Sequence, residues 1–114
     1  MPYVSVNTSQ HLSEEKTEII QREIGRIISI IPGKTIDNCM IQINGDNKIF
    51  MSGKPANAVF VEVRMFGNSP NDKKKEFTEA LDKVLTAEIE GLDRTYVNFQ
   101  EYTEWGVGPN YRDS

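Results

Sequence analysis

Proline stands directly behind the initiator methionine, at the head of the alternating run PYVSVNT. Two roles suit it. As the first residue of a β-strand it removes no ladder hydrogen bond. Once Met1 is removed, its ring nitrogen is instead a free secondary amine, a base or nucleophile that no other residue type supplies. The remaining reactive side chains do not assemble by spacing. Cys39 is the single cysteine, so no disulfide closes within the chain, and its setting in CMIQI reads as a small buried strand residue rather than a reactive thiol. His11, the single histidine, sits in a turn with no second ligand near it, so no metal site can be built around it. Lys73-Lys74-Lys75 is followed by Glu76 and Glu79 inside a helical stretch and reads as a solvated face. Glu62 and Arg64 share a strand face, but nothing in their spacing sets them beside Pro2.

The elements that would position these residues follow from periodicity. Residues 3–8 alternate, with Val4 and Val6 on one side and Tyr3, Ser5 and Asn7 on the other, which predicts a half-buried strand. Ser13 is a suitable N-cap ahead of Glu14 and Glu15, two carboxylates matched to the positive end of a helix. Ile20, Ile24, Ile27, Ile28 and Ile31 then form an apolar stripe of helical period that Pro32-Gly33 ends. Residues 39–44 alternate again, and Gly45-Asp46-Asn47 closes them as a turn. A longer strand over Ala58 to Phe66 turns Val59, Val61, Val63 and Met65 one way and Phe60, Glu62, Arg64 and Phe66 the other. Ser69-Pro70 predicts an N-cap with proline at the first helical position. Phe77, Ala80, Leu81, Val84 and Leu85 are the second helical stripe, and residues 95–102 the fourth strand. The chain thus reads as β-α-β twice, about 57 residues apart. The expected fold is α/β, a four-stranded sheet with two helices on one face, in a single domain over residues 1–114 whose halves are about 1–55 and 56–114.

Composition narrows the partners. The 114 residues carry 38% apolar side chains, enough for one core, and a net charge of −4 with no basic block to neutralise a row of phosphates. Neither nucleic acid nor a membrane is an expected partner, since no apolar run approaches the roughly 20 residues of a span. A lone cysteine and the absence of an export signal at the N-terminus lead to the expectation of a cytoplasmic protein. Two helices cover only one face of four strands. By parity the other face carries Tyr3, Ser5, Asn7, Met40, Gln42, Phe60, Glu62, Arg64, Phe66, Tyr96, Asn98 and Gln100, amides, hydroxyls and aromatics with little lysine. Such a mixture suits an interface or a pocket wall, so this face is expected to be covered by other subunits.

Several segments line up in order: Met1-Pro2, VNT at Val6 to Thr8, Pro32-Gly33-Lys34, Met65-Phe66-Gly67, DRTYVNF from Asp93 to Phe99, and GVGPN from Gly106 to Asn110. Together they resemble macrophage migration inhibitory factor and the related phenylpyruvate tautomerases, over nearly the whole chain. The resemblance implies a homotrimer with active sites between neighbouring subunits and no cofactor. It implies that Pro2, once Met1 is gone, is the catalytic base, and that Lys34 binds the carboxylate of an α-keto acid substrate. Phe66 would be part of the binding pocket, and Tyr96 and Asn98 would reach it from an adjacent subunit. Two departures stand out. The cysteine pair of the mammalian CxxC segment is absent, Asn57 and Phe60 standing there, so its thiol-disulfide activity is not implied. A tryptophan of the family pocket is replaced by Pro109, with Trp105 and Tyr111 nearby.

Electrostatics fits these implied roles. An α-amine has an ordinary pKa of about 7.7 to 8.0, and proline's secondary amine is somewhat more basic, so by itself it would be mostly protonated at neutral pH. A lysine ammonium roughly 6 Å away, at an effective dielectric near 20, opposes that charge by about 2.8 kcal/mol, on the order of two pKa units. One lysine would therefore serve both substrate binding and base activation. Two alternatives remain open at this point: a dehalogenase or decarboxylase relative acting on an unsaturated acid through arginine and a carboxylate-activated water, and a cytokine-like interaction protein whose pocket is vestigial.

Overall fold

The computed structural model describes residues 2–113. Strand β1 runs Pro2–Thr8 and helix α1 Glu14–Ile27; β2 is Met40–Asn44, and β3 (Phe50–Met51) and β4 (Lys54–Pro55) form a short hairpin. Strand β5 spans Ala58–Phe66, helix α2 Asn71–Glu88 and strand β6 Arg94–Tyr102, before a last hairpin of β7 (Trp105–Val107) and β8 (Asn110–Arg112). The four long strands make one sheet in the order β2-β1-β5-β6. β1 runs parallel to β2, and β5 runs parallel to β6. The two halves meet along β1 and β5, which are antiparallel, with Pro2 opposite Met65, Tyr3 opposite Arg64 and Ser5 opposite Glu62.

Local chemistry accounts for the element ends. Ser13 has extended backbone and its hydroxyl accepts the Lys16 N–H at 3.1 Å, so α1 begins at Glu14 as the cap predicts. Its last turn tightens into a 3₁₀ turn at Ile28–Ile30 before Pro32 and Gly33, the latter at φ 79°. A second 3₁₀ turn, Ile36–Asn38, leads into β2. The two hairpins were not expected from periodicity, since strands of two or three residues are too short to alternate. Ser52 and Gly53 both take positive φ, 53° and 74°, the signature of a two-residue type I′ turn. In the last hairpin Gly108 takes φ 56° and Pro109 is confined to negative φ, the combination of a type II′ turn.

One apolar layer lies between sheet and helices. Val4, Val6, Val61, Val63 and Met65 of β1 and β5 are fully buried against Ile20, Ile24 and Ile28 from the first helical segment and Phe77, Leu81 and Leu85 from α2. Each such side chain contributes about 1.5–3 kcal/mol by leaving water. Phe77 meets Phe99 of β6 edge to face, ring centres 6.1 Å apart.

Two sequence expectations are corrected. The cap of α2 is Pro70, with φ −62° and ψ 140°, and the helix begins at Asn71. Ser69 does not cap it, because its N–H is drawn to the Glu101 carboxylate at 2.6 Å and the residue is held on the strand side. The lysine run is also not uniformly solvated. Lys74 pairs with Glu101, the two side chains being only 18% and 17% exposed, and so ties the start of α2 to the end of β6.

Candidate active site

Pro2 is buried at the start of a central strand, where its neighbour across the antiparallel seam is Met65. It opens onto a cleft of about 1010 Å³. One wall comes from Tyr3 and Arg64 on the paired central strands, another from Asp37, Asn38 and Met40 at the entry to β2. Tyr102 at the end of β6 and Trp105 at the start of the last hairpin supply aromatic surface opposite.

Lys34 reaches the same end of the sheet. The Pro32-Gly33 turn brings its backbone N–H onto the Ile31 carbonyl, and its Nζ donates to the Phe66 carbonyl at 2.9 Å. Phe66 follows Met65, the strand partner of Pro2, so the ammonium is anchored one residue beyond the level of Pro2. Lys34 and Phe66 therefore meet each other, but neither belongs to the walls of the cleft. The Phe66 ring is faced by Arg112, whose guanidinium carbon lies 5.1 Å from the ring centre.

Tyr96 and Asn98 lie elsewhere. They pair with Phe60 and Glu62, whereas the row containing Pro2 and Met65 continues to Glu101. Tyr96 is thus five residues along β6 from that row and two strands away from Pro2, roughly 16 Å in one direction and about 10 Å in the other. Its ring is 46% exposed, edge-on to Phe60 at 6.2 Å. Within one chain, Pro2, Lys34 and Phe66 gather at one end of the sheet while Tyr96 and Asn98 face outward from its edge.

Arg64 is a site residue that sequence spacing did not reveal. Its place in the cleft follows from the pairing of Tyr3 with Arg64, which only the folded sheet fixes. The guanidinium carbon lies 5.9 Å from the centre of the Tyr3 ring, and Nη2 donates to Glu62 Oε2 at 3.0 Å. Tyr3 is held in turn by its hydroxyl, which donates to Gln42. Trp105 and Tyr102 were legible as residues but not as a wall, since the turn at Gly108 and Pro109 that folds the tail back is the only local signal.

The charges around this end are largely assigned to partners. Burial alone would raise the Glu101 carboxyl, but hydrogen bonds from Lys74 and the Ser69 N–H, with the Lys74 charge, outweigh it and hold the group below its ordinary value. Glu101 is therefore an anion already matched by the Lys74 cation. Burial pushes the Cys39 thiol up to about 11, which removes it as a nucleophile at neutral pH. His11 lies on the surface with Nδ1 3.0 Å from Asp46. Among the described residues no group of three or more His, Cys, Asp or Glu side chains comes together to hold a metal, and no helix is long and apolar enough to cross a membrane.

Comparison with known proteins places this geometry. The MIF2 protein of Leishmania major superposes with a TM-score of 0.88 at 25% identity, covering 97% of each chain. A macrophage migration inhibitory factor-like protein from Entamoeba histolytica gives 0.82 at 22% identity, over 96% of this chain and 97% of that one. A structure described as a fused 4-OT asymmetric trimer gives 0.78 at 14% identity, over 95% and 94%. The comparison with curated proteins gave no match. A family model described as macrophage migration inhibitory factor matches residues 1–111. With its two helices packed on a four-stranded sheet and this match running almost end to end, the chain belongs to the macrophage migration inhibitory factor family.

Proposed function

We propose that the protein is a keto-enol tautomerase acting on an aromatic α-keto acid such as phenylpyruvate, with Pro2 as general base after loss of Met1. The observation that carries this reading is the Lys34 ammonium, fixed on the Phe66 carbonyl at the strand end that holds Pro2. While Met1 is attached, the Pro2 nitrogen is an amide and has no basicity. Freed, it becomes a secondary amine whose protonated form is opposed by the nearby cation and by burial of the strand end. The substrate carboxylate pairs with Lys34, which sets C3 against the ring nitrogen. Pro2 takes the C3 proton, the C–H electron pair becomes the C2–C3 double bond, and the carbonyl pair moves to oxygen, which is protonated to give the enol. Proton and electrons balance without a cofactor. The Tyr102 and Trp105 rings suit an aromatic substituent.

The working assembly in this proposal is a homotrimer. Phe60 and Tyr96 are exposed on the sheet face that no helix covers, and β2 and β6 are sheet edges. An adjacent copy would bring its Tyr96 and Asn98 to the cleft. The trimer named for one structural relative supports this arrangement. The test is continuous absorbance measurement of phenylpyruvate enolisation by protein whose intact mass shows Met1 removed, beside Pro2→Gly and Lys34→Ala. Pro2→Gly is expected to lose about 10²-fold or more in kcat/KM. Lys34→Ala is expected to raise KM and shift the acidic, ascending limb of the pH profile to higher pH. Equal rates in all three proteins would eliminate the proposal.

A further inference from the structure

We propose that Arg64 is a second anion-recognition residue in the Pro2 cleft, so that the preferred substrate is an α-keto acid bearing a second carboxylate on the end remote from the reacting carbon. For its chemistry this rests on the tautomerase reading above; for its binding it does not. Arg64 is the one cation on the walls of the cleft among the described residues, which otherwise carry the acids Asp37 and Glu104. Glu104 already accepts the Tyr111 hydroxyl at 2.7 Å. The cleft is therefore polarised, and an anionic group entering it is directed to the Arg64 wall.

The guanidinium there is held ready. Glu62 fixes it from one side through Nη2, and the Tyr3 ring supports it from another. Among the described residues that is its single hydrogen bond, so of five N–H donors most remain to receive a planar carboxylate in the paired geometry that arginine favours. The side chain is 45% exposed, enough to be reached and too enclosed to swing freely. Lys34 stands at the other end of the Tyr3–Pro2 corner, on the Phe66 carbonyl. Arg64 on β5 and Lys34 in the turn that follows the first helical segment flank the Pro2–Met65 row, Arg64 one residue before Met65 and the Lys34 ammonium on the carbonyl one residue after it, which suits a rod-like dianion lying across the proline.

The experiment separates binding from turnover by using acids that cannot enolise. Trp105 is the only tryptophan and lines the cleft, so its fluorescence reports occupancy. Titrations compare 3-(4-carboxyphenyl)propanoate with 3-phenylpropanoate on Met1-free wild type, Arg64→Gln and Arg64→Lys, with sedimentation of each variant. Wild type is expected to bind the dianion about tenfold or more tightly than the monoanion. Arg64→Gln should bring that ratio within about twofold of unity, and Arg64→Lys should retain part of it. The proposal is overturned by a wild-type ratio near one, by binding of neither acid, by a preference that survives in Arg64→Gln, or by an Arg64→Gln protein of altered oligomeric size, which would make Arg64 an intersubunit contact. Phenylpyruvate turnover by the same wild-type sample is read in parallel. Turnover without the binding preference removes this inference alone, and the preference without turnover removes the tautomerase reading alone.

Discussion

Gly25 is buried inside α1, and a Cβ built there would lie 2.6 Å from Ile36 Cδ1 and 2.8 Å from Ile36 Cγ1. Ile36 opens the 3₁₀ turn that carries Asp37 and Asn38 to the cleft wall, so the missing methyl of Gly25 is what lets this turn settle on the helix. Replacing Gly25 by Ala sets two effects against each other. Helix propensity gains about 0.8–1.0 kcal/mol. Overpacking costs typically 1–3 kcal/mol, and here the close atom Cγ1 is not the tip of the side chain, so Ile36 must change rotamer or the turn must lift. The expected net is a loss of about 1 kcal/mol. With Ile36→Ala both close atoms are gone and the remaining contact, 3.6 Å to the Ile36 Cβ, is ordinary. In that background Gly25→Ala is expected to stabilise by about 0.8 kcal/mol, giving a coupling of about 2 kcal/mol. Equilibrium urea unfolding of the four proteins at one protein concentration measures the cycle. A Gly25→Ala variant that is more stable than wild type, or an effect of the same sign in both backgrounds, refutes the reasoning.

Other outcomes follow from the charged groups. Lys74→Met leaves the Glu101 carboxylate with only the Ser69 N–H and should cost about 2 kcal/mol of unfolding free energy. Because the folded Glu101 carboxyl lies below its ordinary value, the pair stabilises fully above the unfolded value, about 4.3, and loses that contribution as pH falls through the lowered folded value. The difference in Tm between wild type and Glu101→Gln should therefore be largest at pH 6 to 7 and shrink as pH falls through the lowered folded value; a constant difference contradicts the assignment. With its thiol pushed up to about 11, Cys39 should react with a thiol reagent at pH 8 about 10²-fold more slowly in the native protein than in urea. Matching rates would show the group to be solvated.

The parity of the strands was readable because every sheet pairing is continuous. Tyr3, Met40, Arg64 and Gln100 stand in one row on the open face, and no bulge exchanges the two sides. The isoleucine stripe of α1 was readable for the same reason, as its burial repeats at helical spacing. Arg64 was not, because its meeting with Pro2's neighbour depends on the register between residues some 60 positions apart. Ser69 misled because the carboxylate that claims its N–H arrives from β6, far along the chain. Lys34 was legible as the residue after a Pro-Gly turn, but its hold on the Phe66 carbonyl depends on where β5 ends.

The seam between β1 and β5 has a further consequence. Ser5 lies opposite Glu62, residues 57 apart, the same separation as the helix starts Glu14 and Asn71, so an approximate twofold axis passes through that pair. The axis carries Pro2 onto Val59, near the head of β5. In the proposed form without Met1, the two ends of this quasi-symmetric scaffold are alike in architecture and unlike in chemistry, because the second strand head sits inside the polypeptide and its nitrogen is committed to a peptide bond. Under that proposal a duplicated frame yields one reactive corner and one inert twin.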